Sequence, residues 1–196
     1  MIKQFIKTSV IVVVATMFIF SASVNANQQI QVLMTTNMGE ITLALDAKKS
    51  PITVKNFLRY IDEGYYDGTI YHRVIPDFMI QGGGFDQTYK EKSTHDNITN
   101  EADNGLKNER GTIAMARTNA PHSASAQFFI NVVDNNFLNH TQKNSRGWGY
   151  AVFGKVIKGM NVVDRIQKMK TSRGGPFPSN VPKKMVIIEK MSRIEQ

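Results

Sequence analysis

The chain has 196 residues and no cysteine, and its 24 lysine and arginine residues exceed its 16 aspartate and glutamate residues, giving a formal net charge of +8. This length suits one domain, and the missing cysteine excludes a disulfide-built fold, a thiolate metal centre and a cysteine nucleophile. Because the basic residues are scattered in ones and twos, as at Lys48-Lys49 and Lys183-Lys184, they indicate a solvated basic surface and predict no nucleic-acid partner.

The amino-terminal residues 1–26 have the pattern of a secretory signal peptide. Two lysines precede an apolar run from Val10 to Phe20, and small residues lead up to Ala26. The run is shorter than the about 20 residues that a membrane-spanning helix needs. We therefore predict cleavage after Ala26, a single domain of residues 27–196, and a periplasmic location, or secretion where the organism has no outer membrane. An uncleaved membrane anchor is the alternative interpretation.

The first elements predicted after the leader are a hairpin and a helix. Gln31–Thr36 and Ile41–Leu45 are apolar-rich runs on either side of a turn that contains Gly39, which predicts a β-hairpin. Apolar residues then recur at helical spacing between Ser50, a suitable N-cap, and Gly64, a stop signal. This amphipathic helix must bury its apolar face, and the open end of a sheet is the expected place.

Further along the chain, short strand patterns are separated by polar loops, of which residues 85–110 form the longest. The segments predicted as strands are Thr69–Ile75, Phe78–Gln81, Thr112–Ala116, Gln127–Val133, Tyr150–Val156 and the start of a closing strand at Met185–Ile188. A second helix is predicted over Met160–Met169. Because the strands do not alternate with helices, the pattern favours a mainly β, antiparallel barrel capped by two helices over a parallel sheet.

Several common catalytic motifs are missing from the sequence. There is no G-x-S-x-G elbow, and the glycine run Gly82-Gly83-Gly84 has neither the Lys-Ser/Thr of a P-loop nor a helix after it. We expect these glycines to let the backbone pass close to something bulky. The four histidines are widely separated, so the sequence predicts no metal site.

Two segments are unusual for a strand protein. In the first, Arg73 lies among aromatic and aliphatic residues, and alternation predicts that it shares a face with Tyr71 and Ile75. Taken alone, it could be an edge-strand arginine whose stem covers apolar neighbours. In the second segment, Phe128 and Phe129 must point to opposite faces of a strand, so one can enter the core while the other lines a pocket.

These segments carry a resemblance to a known family. Tyr71–Gly83 resembles the first cyclophilin signature, in which an aromatic-His-Arg triplet precedes an apolar pair, Pro, any residue and Phe-Met-x-Gln-Gly-Gly. Gln127–Ile130 is similar to the second signature and Ala151–Val156 to the third. The likeness covers nearly all of the chain after the leader. Within the family, Asn100–Leu106 and Ala114–Arg117 look most like the exported bacterial branch.

The resemblance implies an eight-stranded antiparallel barrel closed by two α-helices, with peptidyl-prolyl cis-trans isomerase activity in a groove on its outer face. It implies that Arg73 is the catalytic arginine. The positions that match substrate-binding residues are Phe78, Met79, Gln81, Ala116, Arg117, Thr118, Gln127, Phe129, Phe137, Leu138 and Tyr150.

The sequence departs from the commonest family pattern at the groove. Phe137 stands where tryptophan is usual, Tyr150 stands where histidine is usual, and the loop Asn139–Gly149 is longer. The departures leave the arginine and the proline pocket intact, so the resemblance implies ordinary activity with weak binding of the drug cyclosporin.

The implied reaction explains why conventional catalytic residues are missing. Rotation about a peptide bond is opposed by a barrier of roughly 18–20 kcal/mol but breaks no bond, so it needs neither a metal nor a cofactor. The expected partners are proline-containing unfolded or partly folded exported polypeptides, and the expected enzyme is a monomer. A peptide-binding chaperone with incidental isomerase activity is the alternative, since it would use the same groove.

Overall fold

The computed structural model describes residues 29–195, so the predicted signal peptide lies outside the described residues. The two helices are α1 (Pro51–Asp62) and α2 (Met160–Gln167), and neither is long and apolar enough to cross a membrane. The strands are β1 (Ile30–Thr36), β2 (Gly39–Leu45), β3 (Arg73–Ile75), β4 (Met79–Gly82), β5 (Thr112–Met115), β6 (Phe128–Asn131), β7 (Val152–Lys158), β8 (Thr171–Gly174), β9 (Phe177–Pro182) and β10 (Ile188–Arg193).

Eight strands form one antiparallel sheet in the order β10-β1-β2-β7-β5-β6-β4-β3. The two ends of this sheet meet through the backbone that precedes β3. The Tyr71 N–H donates to the Val186 carbonyl at 2.9 Å, and the Ile188 N–H donates to the Thr69 carbonyl at 2.8 Å. The predicted mainly β fold, an eight-stranded antiparallel barrel with two α-helices, is therefore confirmed.

Helix α1 fills the barrel with aromatic side chains. Phe57 is fully buried, and its ring lies 5.1 Å from Tyr66, 5.6 Å from Phe128 and 5.0 Å from Phe153 between centroids. These separations lie in the range in which tilted and edge-on aromatic pairs attract each other beyond simple burial. The strands around α1 are thereby held on a rigid interior.

The start of α1 corrects one expectation from the sequence. Ser50 occupies the N-cap position, but its hydroxyl donates to the Val152 carbonyl at 2.8 Å and caps no helical N–H. The Glu101 carboxylate does this work instead, because it accepts hydrogen bonds from the N–H groups of Ile52 at 3.1 Å and Thr53 at 2.8 Å. A carboxylate is favourable here because the helix amino terminus is the positive end of its dipole.

Strands β8 and β9 form a separate two-stranded sheet that the sequence analysis did not predict. Their prolines and glycines are residues typical of loops, and they hide the strand pattern. The hairpin packs beside β3, where the Phe177 ring stacks on His72 at 5.1 Å and meets Phe85 edge-on at 5.0 Å. It thus covers the back of the strand that carries Arg73.

Candidate active site

A cavity of about 280 Å³ opens on the outer face of the sheet, beside β3, β4, β5 and β6. Its walls are Arg73, Phe78, Met79, Gln81, Ala116, Arg117, Phe129, Phe137, Leu138 and Tyr150. The structure therefore brings ten of the twelve residues singled out from the sequence around one space. The other two, Thr118 and Gln127, do not line the cavity but each bonds to a residue that does.

The floor of the cavity follows from strand alternation in β6. Phe128 points into the barrel, whereas Phe129 packs on the outer face in a second apolar cluster with Met79 and Leu138. The expectation that the two phenylalanines separate onto opposite faces is confirmed. The result is an apolar slot outside the main core, of the kind that accepts a small apolar ring.

Arg73 lies at the edge of the sheet, half-buried, directly opposite Gln81 in the register of β3 and β4. Its Nη1 donates to Gln81 Oε1 at 3.1 Å, and its guanidinium carbon lies 6.0 Å from the Phe78 ring centroid. Burial lowers the pKa of Arg73, but a guanidinium still carries its charge at neutral pH. Among residues 29–195 it pairs with no carboxylate, so most of its donors remain available to a ligand.

The prediction that Tyr71 shares a face with Arg73 is wrong. Tyr71 is buried inside the barrel, and its hydroxyl lies 3.1 Å from Met34 Sδ. The regular strand begins only at Arg73, so alternation does not extend back across His72. Ile75, in contrast, packs with the outer cluster on the same side as Arg73.

A chain of side-chain amides fixes the partner of Arg73. Gln81 Nε2 donates to Gln127 Oε1 at 3.1 Å, and Gln127 Nε2 reaches Glu91 Oε1 at 3.4 Å. Because Glu91 can only accept, each amide is oriented in turn and Gln81 presents its oxygen to Arg73. A Cβ on Gly84 would lie 2.5 Å from Gln127 Cγ, which confirms that the glycine run lets the backbone pass close to bulky side chains. Glu91 was not singled out from the sequence.

Three buried asparagines behind the cavity were also missed. Asn135 Nδ2 donates to the Phe78 carbonyl at 2.8 Å and to Asn131 Oδ1 at 2.7 Å, and Asn131 Nδ2 donates to Asn108 Oδ1 at 3.2 Å. Asn108 Nδ2 in turn reaches the Leu138 carbonyl at 3.2 Å. Buried polar groups that are satisfied in this way make a local structure rigid. The cluster holds two walls of the slot in register.

Phe137 forms the rim of the cavity, on a short 3₁₀ turn of residues 136–138. Its side chain is 74% exposed, and its ring stacks on Phe78 with a centroid distance of 5.6 Å and an interplanar angle of 27°. Stacked in this way, Phe137 and Phe78 form a continuous apolar surface that extends the cavity wall outward.

Arg117 and Tyr150 form another part of the cavity wall. The Arg117 guanidinium carbon lies 4.6 Å from the Tyr150 ring centroid, and Nε donates to the Gly149 carbonyl at 2.9 Å. The Tyr150 ring also meets Phe129 edge-on at 5.6 Å. Tyr150, one of the positions that depart from the usual family pattern, therefore lies in direct contact with Arg117 and Phe129.

Comparisons with known proteins agree over almost the whole described chain. A family model described as cyclophilin type peptidyl-prolyl cis-trans isomerase/CLD matches residues 31–193. Peptidyl-prolyl cis-trans isomerase A of Dickeya dadantii (strain 3937) is 52% identical over 186 residues, which are 95% of this chain and 96% of that protein. Peptidyl-prolyl cis-trans isomerase B of Escherichia coli (strain K12) is 58% identical over 157 residues, 80% of this chain and 95% of the relative.

Solved structures give the same answer. The crystal structure of a cyclophilin type peptidyl-prolyl cis-trans isomerase from Cryptosporidium parvum has a TM-score of 0.66 at 27% identity, covering 86% of this chain and 99% of that one. A second structure of that protein, in the presence of the dipeptide Ala-Pro, has a TM-score of 0.65 at 28% identity and covers 85% of this chain and 99% of that one.

Proposed function

The chain belongs to the cyclophilin family of peptidyl-prolyl cis-trans isomerases, and from this premise we propose that it accelerates X–Pro rotation in exported polypeptides, acting as a monomer in the periplasm. The observation that carries the site assignment is a charged arginine, without a carboxylate partner among residues 29–195, beside an apolar slot, both within one cavity of about 280 Å³. One structural neighbour was solved in the presence of the dipeptide Ala-Pro, and we propose that the cavity of this chain binds peptides of that kind.

The apolar slot and Arg73 have different roles in the proposed reaction. The planar amide persists because the nitrogen lone pair is delocalised into the carbonyl, and rotation localises it on a pyramidal nitrogen. Phe129, Met79 and Leu138 hold the proline ring while the rest of the peptide turns. Arg73 then donates a hydrogen bond that strengthens as the nitrogen lone pair localises, so it stabilises the twisted state more than the planar one.

These two contributions are large enough for catalysis of this kind. An acceleration of about 10⁵-fold requires roughly 7 kcal/mol of preferential transition-state binding. A charge-assisted donor in a partly dry site supplies on the order of 3 kcal/mol. Confinement of the ring, which the buried asparagine cluster keeps rigid, accounts for the remainder in this proposal.

The isomerase assignment is tested by following cis and trans populations of a proline peptide by NMR exchange, without a coupling protease. Uncatalysed isomerisation takes about tens to hundreds of seconds. We expect micromolar enzyme to raise the exchange rate far above this uncatalysed rate. Binding of the same peptide with no change in exchange would favour the alternative, a chaperone that uses this groove for binding alone.

Export is the second half of the proposal, and it depends on the amino-terminal pattern of residues 1–26. The match to the Dickeya protein takes in 95% of this chain, so it extends into this segment. The Escherichia isomerase B matches 80% of this chain over 95% of its own length, so it has no room for a comparable extension. This difference is what a removable leader on a common domain would produce.

Expression of the full chain in a Gram-negative host tests the leader. We expect the protein to be found in the osmotic-shock fraction with a mature amino terminus near Asn27, since the segment before it resembles a cleavage site. Amino-terminal sequencing measures this directly. Recovery of a membrane-bound protein that still begins at Met1 would favour the anchor instead.

We also propose that cyclosporin binds weakly, because Phe137 offers no hydrogen-bond donor. The family resemblance implies a tryptophan whose indole N–H meets the drug, and an unpaired acceptor costs on the order of 1–3 kcal/mol. Phe137→Trp should therefore tighten inhibition at least about tenfold. The side chain is 74% exposed, so the larger ring has room. Titration of both proteins with the drug in one isomerase assay measures the change.

The matched control for this experiment is Ile52→Trp, since Ile52 is 44% exposed on α1 and lies outside the cavity. This variant adds the same indole without changing the groove, and its inhibition should equal that of the parent protein. Tight inhibition of the parent protein would refute the argument from Phe137.

A further inference from the structure

The charged residues that line the cavity are all positive. Two of its ten lining residues, Arg73 and Arg117, are cations, and none is an aspartate or glutamate. Within the described part of the chain neither arginine pairs with a carboxylate. A small concave site lined by a single sign of charge concentrates its field on the ligand. The proposed catalysis of X–Pro rotation uses only one of these two cations, Arg73.

Arg117 is held in place by its surroundings. Its Nε donates to the Gly149 carbonyl at 2.9 Å, its Nη1 donates to the Thr118 carbonyl at 2.8 Å, and its plane lies over the Tyr150 ring. A guanidinium has five N–H donors, so three remain after these two bonds. Because both partners are neutral carbonyls, the positive charge itself is not compensated.

The backbone that receives Arg117 is itself fixed. Asn100 Nδ2 donates to the same Gly149 carbonyl at 3.1 Å, and the Asn100 carbonyl accepts from Trp148 Nε1 at 3.2 Å. Gly149 has a φ of +75°, and a Cβ there would lie 2.6 Å from the His140 backbone nitrogen. The loop that makes this chain longer than the usual family pattern thus anchors the arginine, so little conformational entropy is lost when a ligand binds to it.

We infer that this enzyme prefers proline peptides with an aspartate or glutamate within two residues of the proline, and that Arg117 is the residue that selects them. The inference rests on the proposed function of the cavity as the proline site. Each residue spans at most about 3.6 Å along the chain, so a carboxylate one or two residues from the proline can reach Arg117 in the wall of a cavity of about 280 Å³. Three free donors on a planar fork match a carboxylate in a bidentate pair.

The test uses matched peptides that differ at one position, carrying Glu, Gln or Lys at each of the two residues before and the two residues after proline. Both kcat/KM, by protease-free NMR exchange, and Kd, by calorimetry, are measured for each peptide. We expect at least one position where Glu exceeds Gln by about three- to tenfold and Lys falls below Gln. Raising the ionic strength from about 0.02 M to about 0.5 M should shrink the ratio, because the pair is partly exposed.

Arg117→Gln should bring the Glu/Gln ratio close to one, whatever its overall activity, while Arg117→Lys should keep part of the preference because it retains the charge but not the fork. The matched control is Arg173→Gln, which removes one exposed charge from β8 and should leave the ratio as in the parent protein. No acidic preference at any position, or an unchanged ratio in Arg117→Gln, would overturn the inference. Failure of the isomerase proposal is recognised separately, as absent exchange on every peptide, and the Kd ratios then still decide the selectivity.

Discussion

Replacing Arg73 with alanine should lower kcat/KM by about 10²–10³-fold, the usual consequence of removing one transition-state donor. The structure shows why the loss should fall on catalysis. Arg73 is half-buried, makes one side-chain hydrogen bond to Gln81, and pairs with no carboxylate among residues 29–195. Because its charge compensates no carboxylate in the described chain and its one side-chain hydrogen bond is to a neutral amide, the free energy of unfolding should change by no more than about 1 kcal/mol.

Two further variants show whether the donor geometry or the charge matters. Arg73→Lys keeps the charge but loses the planar fork, so it should recover only part of the activity. Arg173→Ala removes an exposed arginine from β8 and should turn over like the parent protein. The free energy of unfolding of all three variants is measured in urea, so that a loss of stability can be told from a loss of catalysis. Near-normal turnover by a folded Arg73→Ala protein would remove Arg73 from the mechanism, and an equal loss of stability would make it a structural residue.

A second large effect is expected from pH, through His72. This residue is 3% exposed, stacks on Phe177 and meets Phe85 edge-on at 4.7 Å, and its Nδ1 has no hydrogen-bond partner in the described part of the chain. Burial, and to a smaller extent the neighbouring charge of Arg73, lower the pKa of His72 to about 4. Between about pH 4 and pH 6.5 the ring is therefore neutral in the folded protein but protonated in the unfolded chain.

The direction in which the free energy of unfolding changes with pH follows from proton linkage. Between about pH 6.5 and pH 4 the unfolded state binds a proton at His72 that the folded state does not, so the free energy of unfolding decreases as the pH falls through this window. The full loss is about 3 kcal/mol, because the pKa is 6.5 in the unfolded chain and about 4 in the folded protein, and each tenfold change in proton affinity is worth about 1.36 kcal/mol. Well above pH 6.5 the ring is neutral in both states, and His72 then contributes no pH dependence.

His72→Phe isolates this contribution, because it keeps an aromatic ring on Phe177 but cannot titrate. Urea unfolding at a series of pH values should show the parent protein losing about 3 kcal/mol more than the variant between about pH 7 and pH 4. Asp164 and Asp103 have lowered pKa values from their pairs with Arg110 and Lys143, but they act at lower pH and in both proteins. Parallel pH profiles for the two proteins would show that burial of His72 has no such cost.

The barrel and most of the cavity wall could be predicted because they depend on local pattern. Strand alternation placed Phe128 inside and Phe129 outside, and helical spacing placed α1, each from a few adjacent residues. The resemblance to the family signatures then identified the groove residues, and ten of these twelve residues line one cavity in the structure.

The features that were missed depend on contacts between distant parts of the chain. Glu101 caps α1 from about fifty residues away, and Asn108 meets Asn131 only because β5 and β6 pair. Neither has a local signature, since a surface carboxylate and a loop asparagine look alike in sequence. Tyr71 was misplaced for the opposite reason, because a local rule was extended beyond the point at which the strand begins.

The position of β10 has a consequence for how the chain is completed during synthesis. Its residues pair with β1, from Val32–Arg193 to Thr36–Ile188, and the Ile188 N–H also donates to the Thr69 carbonyl. The strand that closes the barrel is therefore the last strand among residues 29–195. A nascent chain lacking it has two unpaired edges, at β1 and at residues 69–71, and such edges favour association with other chains. Closure through the most distant partners in sequence is also slow, because it waits for the largest loop to form. If the chain is exported as proposed above, a protein that crosses a membrane from its amino terminus cannot close this barrel until β10 has emerged, so the closed barrel forms only on the far side of the membrane.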